Sequence, residues 1–221
     1  MPTEYATVAE LKGYPNISLS TDDTEIQVWL NAAAAVIDRW TGRDTGDPDT
    51  EGFVAVAVAT AKEFIGNGTP VLRVGEHISI TSVEVKDSPT DLDTSYTALA
   101  ATDFIAFRGD PLRPDFESLP LTQIMVDQRG DYAVWVDGRM KIGRGFSQPT
   151  VRVTARWGYA AAAPPEIKSA TIAQALRWLT RGRSGWGDAT STPDLGMLLF
   201  RQALDPDIKM MLQRFQLPQV G

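Results

Sequence analysis

His77 is the only histidine in a chain of 221 residues that has no cysteine, so the residue types behind most nucleophilic, proton-transfer and metal chemistry are scarce. Any Ser-His-Asp arrangement would have to use that single imidazole, and a metal site built on several histidines is excluded. His77 falls in a strand-like segment and reads as a surface or edge-strand residue. Asp44, Asp47, Asp49 and Glu51 crowd one loop without the register of an EF-hand, which fits a solvated loop better than a cation site. Gly66-Asn67-Gly68 and Gly143-Arg144-Gly145 match neither the phosphate-loop pattern nor the dinucleotide fingerprint and read as turns. A glycosidase-like pair could be drawn from the 28 acidic residues, but nothing selects which two. Arg152, Arg156, Arg177, Arg181 and Arg183 are the basic candidates for a nucleic-acid path. The aromatic Trp157 and Tyr159 share the opposite face of the strand from its arginines, whereas single-strand binding needs both on one surface. No catalytic residue, cofactor or metal ligand is expected, and the chain reads as a non-enzyme.

The elements that would carry these residues follow from hydrophobic periodicity. Val8 and Leu11 mark a short helix over about Thr7 to Lys12, stopped by Gly13. A longer helix opens at Ser20 to Glu25, where Asp22 and Glu25 have capping-box spacing, and ends at Gly42. Ile26, Leu30, Ala33, Ala34 and Ile37 form its buried stripe, and Trp29, Val36 and Trp40 widen the apolar surface until it must be covered by the fold or a neighbour. Period two begins after residue 52. Val54, Val56 and Val58 lead towards Phe64, and Gly66-Asn67-Gly68 would turn that strand back into Val71 to Val74 as a hairpin. Ile78/Ile80 and Val83/Val85 are out of phase by one, as a bulge near Ser82 would make them. Weaker strands are expected near Tyr96 and over Phe104 to Phe107, with a proline-rich loop from Asp110 to Pro120. Tyr132, Val134 and Val136 predict a strand turning at Asp137-Gly138 into Met140 and Ile142. Val151 to Tyr159 is the cleanest alternation of all.

Pro164-Pro165 opens a third long helix, to about Thr180, lined by Ile172, Ala175, Leu176 and Leu179. Residues 184–194 read as a linker. Beyond it, Leu195 to Leu204 suggests a short helix, and Asp205-Pro206 caps a last one with Ile208, Met211, Leu212 and Phe215 on one face. This tail either binds a partner or tucks back onto its own subunit. The expected fold class is α+β: a discontinuous helical core of residues 1–52 and 160–183, a large antiparallel β-rich insertion of residues 53–159 resembling a sandwich or barrel, and a linker with a C-terminal arm over 184–221. Helical-core packing is assigned to Ile26, Trp29, Leu30, Ile37, Trp40, Ile172, Leu176 and Leu179.

A net charge of -7 disfavours a general DNA-binding surface. The charge is uneven: residues 1–127 carry 8 basic and 21 acidic side chains, and residues 128–221 carry 13 and 7. Such polarity suits oriented packing against another subunit or an acidic partner. Met1-Pro2-Thr3-Glu4 lacks the basic and apolar regions of a secretory signal, and no apolar run is long enough to span a membrane.

Several segments, in order, resemble the head-tail connector, or adaptor, proteins of long-tailed bacteriophages. Tyr5-Ala-Thr-Val-Ala-Glu-Leu-Lys-Gly-Tyr14, Asp22-Asp23 and Ala35-Val-Ile-Asp-Arg-Trp-Thr-Gly-Arg43 resemble that family's N-terminal helical pair. Trp157-Gly-Tyr159 before Pro164-Pro165-Glu-Ile resembles the return to its helical core, and Asp205-Pro-Asp-Ile208 with Leu212 resembles its C-terminal segment. These stretches cover under half the chain, and the long β-rich insertion departs from the simpler, nearly all-helical relatives.

The resemblance implies a structural virion protein of the phage neck, made in the host cytoplasm. It implies a dodecameric homo-oligomer ring docked on the portal protein, with a tail-side connector, stopper or tail-terminator protein below. Double-stranded DNA would pass through the lumen without sequence-specific binding, and an acidic lining would repel phosphate. The family's portal-engaging C-terminal segment maps onto Leu195, Leu198, Leu199, Phe200, Ile208, Met211, Leu212 and Phe215. A second class, a virion accessory protein with a carbohydrate- or host-binding β domain, rests on the insertion and its loops around Asp110 to Pro120.

Overall fold

The computed structural model describes residues 4–14, 22–47, 52–91, 95–108, 119–139, 147–183, 189–191, 198–200 and 204–217. Helices and an antiparallel six-stranded sheet make the class α+β. The chain divides into two compact units, Met1–Phe53 with Ala163–Gly221, and Val54–Ala162. The C-terminal segment, expected as a separate arm, belongs to the first unit.

In the helical unit, α1 (Val8–Lys12) carries a complete capping box: Thr7 Oγ1 accepts from Glu10 N–H, and the Glu10 carboxylate accepts from Thr7 N–H. α2 (Asp23–Thr41) begins at Asp22, whose carboxylate accepts from Thr24 N–H at 3.0 Å. It ends at Gly42, where φ of 78° lets the chain turn out of the helix while the amide of Arg43 returns to Asp38 O. Ile26, Leu30, Ala33, Ala34 and Ile37 are buried as the 3.6-residue period requires, and the helix packs chiefly on α3 (Pro165–Arg183). From α3 come Ile172, Ala175 and Leu179, all buried, with Leu176 half-buried. Trp29 leans on Trp178 at 6.3 Å between ring centroids. Trp40 departs from the expected core role: in the last turn of the helix it is 40 % exposed, with the Lys209 ammonium over its ring.

The tail differs from the expectation in one part. β7 (Ala189–Ser191) and β8 (Leu198–Phe200) form an antiparallel pair, where a linker and a short helix were expected. A short apolar run does not distinguish the two states by period, and a helix that short is marginal in water. Leu195 lies outside the described residues. α4 (Pro206–Leu212) follows, capped by Asp205 with Pro206 at its first position, and runs into a 3-10 turn at Gln213–Phe215.

In the second unit the strands are β1 (Thr60–Phe64), β2 (Val71–Val85), β3 (Thr97–Ala98), β4 (Phe104–Arg108), β5 (Leu121–Val126) and β6 (Val151–Trp157). Their order is β1-β6-β2-β5-β4, with β3 on β2. They pair as one antiparallel sheet, and among the described residues its end strands β1 and β4 do not pair. The expected hairpin at Gly66-Asn67-Gly68 is also corrected. β6 lies between β1 and β2, so the turn joins strands that are not neighbours in the sheet. Val54 makes only an isolated bridge to Ala160, and Val58 is 74 % exposed.

β6 alternates as expected, with Val151, Val153, Ala155 and Trp157 buried. β2 shifts register three times, between Arg73 and His77, between His77 and Ser79, and between Ile80 and Ser82. Its inward residues change parity accordingly, from Leu72 and Val74 to His77, then Ile80, then Val83 and Val85. The phase slip near Ser82 was visible in sequence; the other two were not. Residues 132–138 are not strand: Trp135 is fully buried, Tyr132 packs partly buried against the same core, and the expected strand of Tyr132, Val134 and Val136 does not form. Met140 and Ile142 lie outside the described residues. The segment is held by close backbone approach: Trp135 exchanges hydrogen bonds with Gly68 and Thr69, and a Cβ at Gly66 would stand 1.9 Å from Val136 O.

Candidate functional site

The helical unit leaves one side of α2 only partly covered. Val28, Ala32, Ala35 and Val36 recur at i, i+4, i+7 and i+8, away from the buried stripe, Trp40 stands at the stripe's edge, and each is exposed or half-buried. Val28 is 58 % exposed. At the C-terminal end of this side, a cleft of about 470 Å³ is lined by Arg39, Trp40, Thr41, Gly42 and residues of the C-terminal turn. The exposed Met210 and Met211 of α4 add apolar surface to the unit. At the acidic start of α2 stand Asp22, Asp23 and Glu25; basic Arg39 stands near its end.

Beneath this surface, polar side chains that periodicity could not reveal fasten four distant segments. Tyr5 Oη donates to the buried Asp38 carboxylate at 2.5 Å and accepts from Phe53 N–H at 2.9 Å. Arg43, also buried, lies 4.2 Å over the Phe53 ring and donates to Phe215 O. The Phe53 and Phe215 rings meet edge to face at 5.6 Å. A buried acid and a buried guanidinium persist only when hydrogen bonds replace their lost water. The arrangement is a structural staple, since its members are spent on one another and on backbone.

The C-terminal tail is fastened by the same logic. Asp205 caps α4 through Asp207 N–H with one oxygen and accepts from Arg177 at 2.6 Å with the other. Arg214 reaches Glu166 at 2.7 Å, and Leu217 N–H donates to Thr41 O. Ile208, Leu212 and Phe215 are buried within the unit; Met211 sits at its margin. Of the two readings of the tail, residues 204–217 adopt the tucked one. Only backbone pairing is described for Leu198, Leu199 and Phe200.

The candidate basic path is not a surplus of positive charge. Arg152 donates to Glu63 at 2.8 Å and to Glu84 at 3.4 Å, with its guanidinium 3.9 Å from the Tyr96 ring centroid, so it belongs to a cross-strand ladder in which carboxylates outnumber it. The hydrogen bond to Glu63 raises the Arg152 pKa further. Arg156 donates to Val56 O, and Arg177 is held by Asp205. Arg181 and Arg183 lie in the last turn of α3. In the acidic loop, Asp44 accepts from Arg39 at 3.2 Å; Asp49 and Glu51 lie outside the described residues.

A second cleft, of about 380 Å³, lies between α1 and α3 and is lined by Glu10, Gly13, Tyr14, Lys168, Ser169 and Ile172. Lys168 donates to Glu10 at 2.6 Å and holds that carboxyl below the usual range. The pair neutralises the cleft and leaves no obvious acid or base in it. His77, taken from sequence as a surface or edge residue, is instead fully buried in β2, the middle strand of the sheet. No protein-family model matches the chain, and no curated protein matches it significantly.

Proposed function

We propose that the protein is a head-tail connector: a ring-forming adaptor of the phage neck that docks on the portal, contributes to the DNA channel and joins it to the tail. The observation that carries this reading is the only partly covered apolar side of α2, from Val28 to Trp40, in a unit whose polar groups are engaged in structural pairing. A surface of that kind buries itself against protein, and a head-to-tail contact between unlike faces of identical subunits closes into a ring. The ordered resemblance of the N-terminal helices, the Trp157-Gly-Tyr159 return and the Asp205 segment supports the same assignment. The β unit is an addition to the helical core, and acidic residues of the N-terminal half supply a lumen wall that repels DNA phosphate.

Electron microscopy of the protein mixed with its portal tests the reading. A closed ring seated on the portal is the expected image; a monomer on the portal, or a stoichiometry that cannot close, overturns it. Val28→Glu places a charge on the exposed apolar side, at its N-terminal end. It is expected to leave the monomer folded within about 0.5 kcal/mol of the parent while abolishing the ring. A basic inner wall on the assembled ring would overturn the channel assignment.

A further inference from the structure

The single imidazole of the chain occupies an unusual place. His77 is the residue at which β2 changes partners: it is in register with Leu121 of β5 on one side and with Trp157 of β6 on the other, and the register shifts immediately before and after it. Two residues earlier, Gly75 has φ of 92°, a conformation that glycine takes without strain. The ring is fully buried and meets Trp157 edge to face at 5.9 Å. Nδ1 lies 2.9 Å from Gly75 O, so Nδ1–H donates and the neutral ring carries its lone pair on Nε2. Nε2 is buried and has no hydrogen-bond partner among the described residues.

We propose that His77 is an acid-sensitive latch in the sheet: protonation at Nε2 releases the pairing of β2 with β5 and β6 around Gly75. The proton would create an N–H with no acceptor and a cation in an apolar enclosure, the costliest combination for a buried group. The nearby charges do not relieve it. Lys62 of β1 stands 5.3 Å from the Trp157 ring centroid, Arg156 of β6 donates to Val56 O, and Arg108 of β4, in register with Leu121, donates to Leu119 O. All three are positive. Glu76 precedes His77 on the strand, but no neighbouring charge contributes to the shift of the imidazole. Trp157 has already given its Nε1–H to Thr60 O. Turning the ring out at the Gly75 pivot lets Nε2–H reach water, which is the cheapest escape.

Burial depresses the imidazole pKa, with the Gly75 hydrogen bond acting weakly the other way. The folded pKa therefore lies below the unfolded one of about 6.5, and the contribution to stability is complete above that value. It is lost as pH falls from there towards the folded pKa, so the opening equilibrium rises by up to about tenfold per pH unit through that window. The latch belongs to the β unit and does not depend on the connector reading.

Because His77 is the only histidine, one imidazole resonance in the NMR spectrum of the full chain reports its titration without assignment. Hydrogen exchange followed by mass spectrometry at pH 7.5 and 5.5, corrected for the intrinsic rate, reports the opening. The expected result is an imidazole that titrates below 6.5, with exchange over residues 71–85 and 121–126 increased several-fold at pH 5.5. His77→Phe and His77→Gln should remove that pH dependence while keeping the remaining exchange pattern. An imidazole that titrates at its ordinary value, or protection unchanged between the two pH values, overturns the proposal. If neither variant folds, the parent's resonance and exchange decide it alone.

Discussion

The helical and β units hold themselves together by different means. The helical unit buries one stripe of each long helix and then ties sequence-distant pieces with charged pairs: Lys168 to Glu10, Arg177 to Asp205, and Arg214 to Glu166. The β unit depends on register between strands far apart in the chain and on glycines that admit backbone contact. Gly158 shows the second mode most sharply. Its φ is 128°, and a Cβ there would lie 2.4 Å from Ala55 Cα. A helix tolerates a lost side chain by local collapse, whereas a sheet built on close approach has nowhere to move. Substitution should therefore be graded in the helical unit and abrupt in the β unit.

Gly158→Ala gives the largest expected effect, about 4 kcal/mol or more, because it combines a disfavoured backbone angle with contact against main chain. Urea unfolding followed by tryptophan fluorescence measures it; a loss under about 1 kcal/mol would erase the contrast between the units. Phe215→Ala comes next, at about 3–4 kcal/mol, since it removes a buried ring from against Phe53 while leaving the backbone carbonyl that Arg43 holds. If calorimetry finds almost no change, the C-terminal turn is not part of the helical core. Trp40→Ala should cost less than about 1 kcal/mol in the isolated protein, its ring being largely outside the core. A core-sized loss would return Trp40 to the packing role that its spacing suggested.

The smallest effect concerns the surface of the β unit. Tyr132 donates to Asp87, which raises its phenol pKa to about 12, the hydrogen bond being the main cause and burial the second. Ultraviolet titration should show one tyrosine ionising late, and Asp87→Asn should bring it back towards 10. A raised phenol pKa means that the associated stability is complete below about pH 10 and is lost as pH rises towards 12. The pair is mostly exposed, so its worth at neutral pH is under about 1 kcal/mol.

The same contrast explains what could be read beforehand. α2, α3 and α4 were legible because caps, glycine and proline stops and apolar period lie within each segment. β6 was legible because both faces of one strand are written in seven consecutive residues. Pairing was not. The turn at Gly66-Asn67-Gly68 is a sound local signal for a hairpin, but β6, arriving some ninety residues later by its pairing of Thr60 with Ala155, takes the place that β2 would have filled. His77 was assigned to the wrong side, and Trp135 to none, for a related reason, since bulges and close backbone contacts shift which residue points inward. The staple of Tyr5, Asp38 and Arg43 was invisible because polar residues are buried by their partners, and partners are not a property of a window. On the candidate surface, the excess apolar width of α2 was seen from Trp29, Val36 and Trp40; Val28 and Ala35 complete it only once the buried side is known.

Asp205 serves two purposes with one carboxylate, capping α4 and gripping Arg177. A seven-residue helix has almost no standing population in water, because nucleation outweighs what so few bonds return. Release of Asp205 from α3 thus withdraws the contact that keeps the helix nucleated. Undocked, so short a segment would hold little helix of its own. A protease would meet Lys209 and Arg214 together or not at all, and any partner that captures this segment must compete for the chain as an unfolded peptide, paying for its order anew.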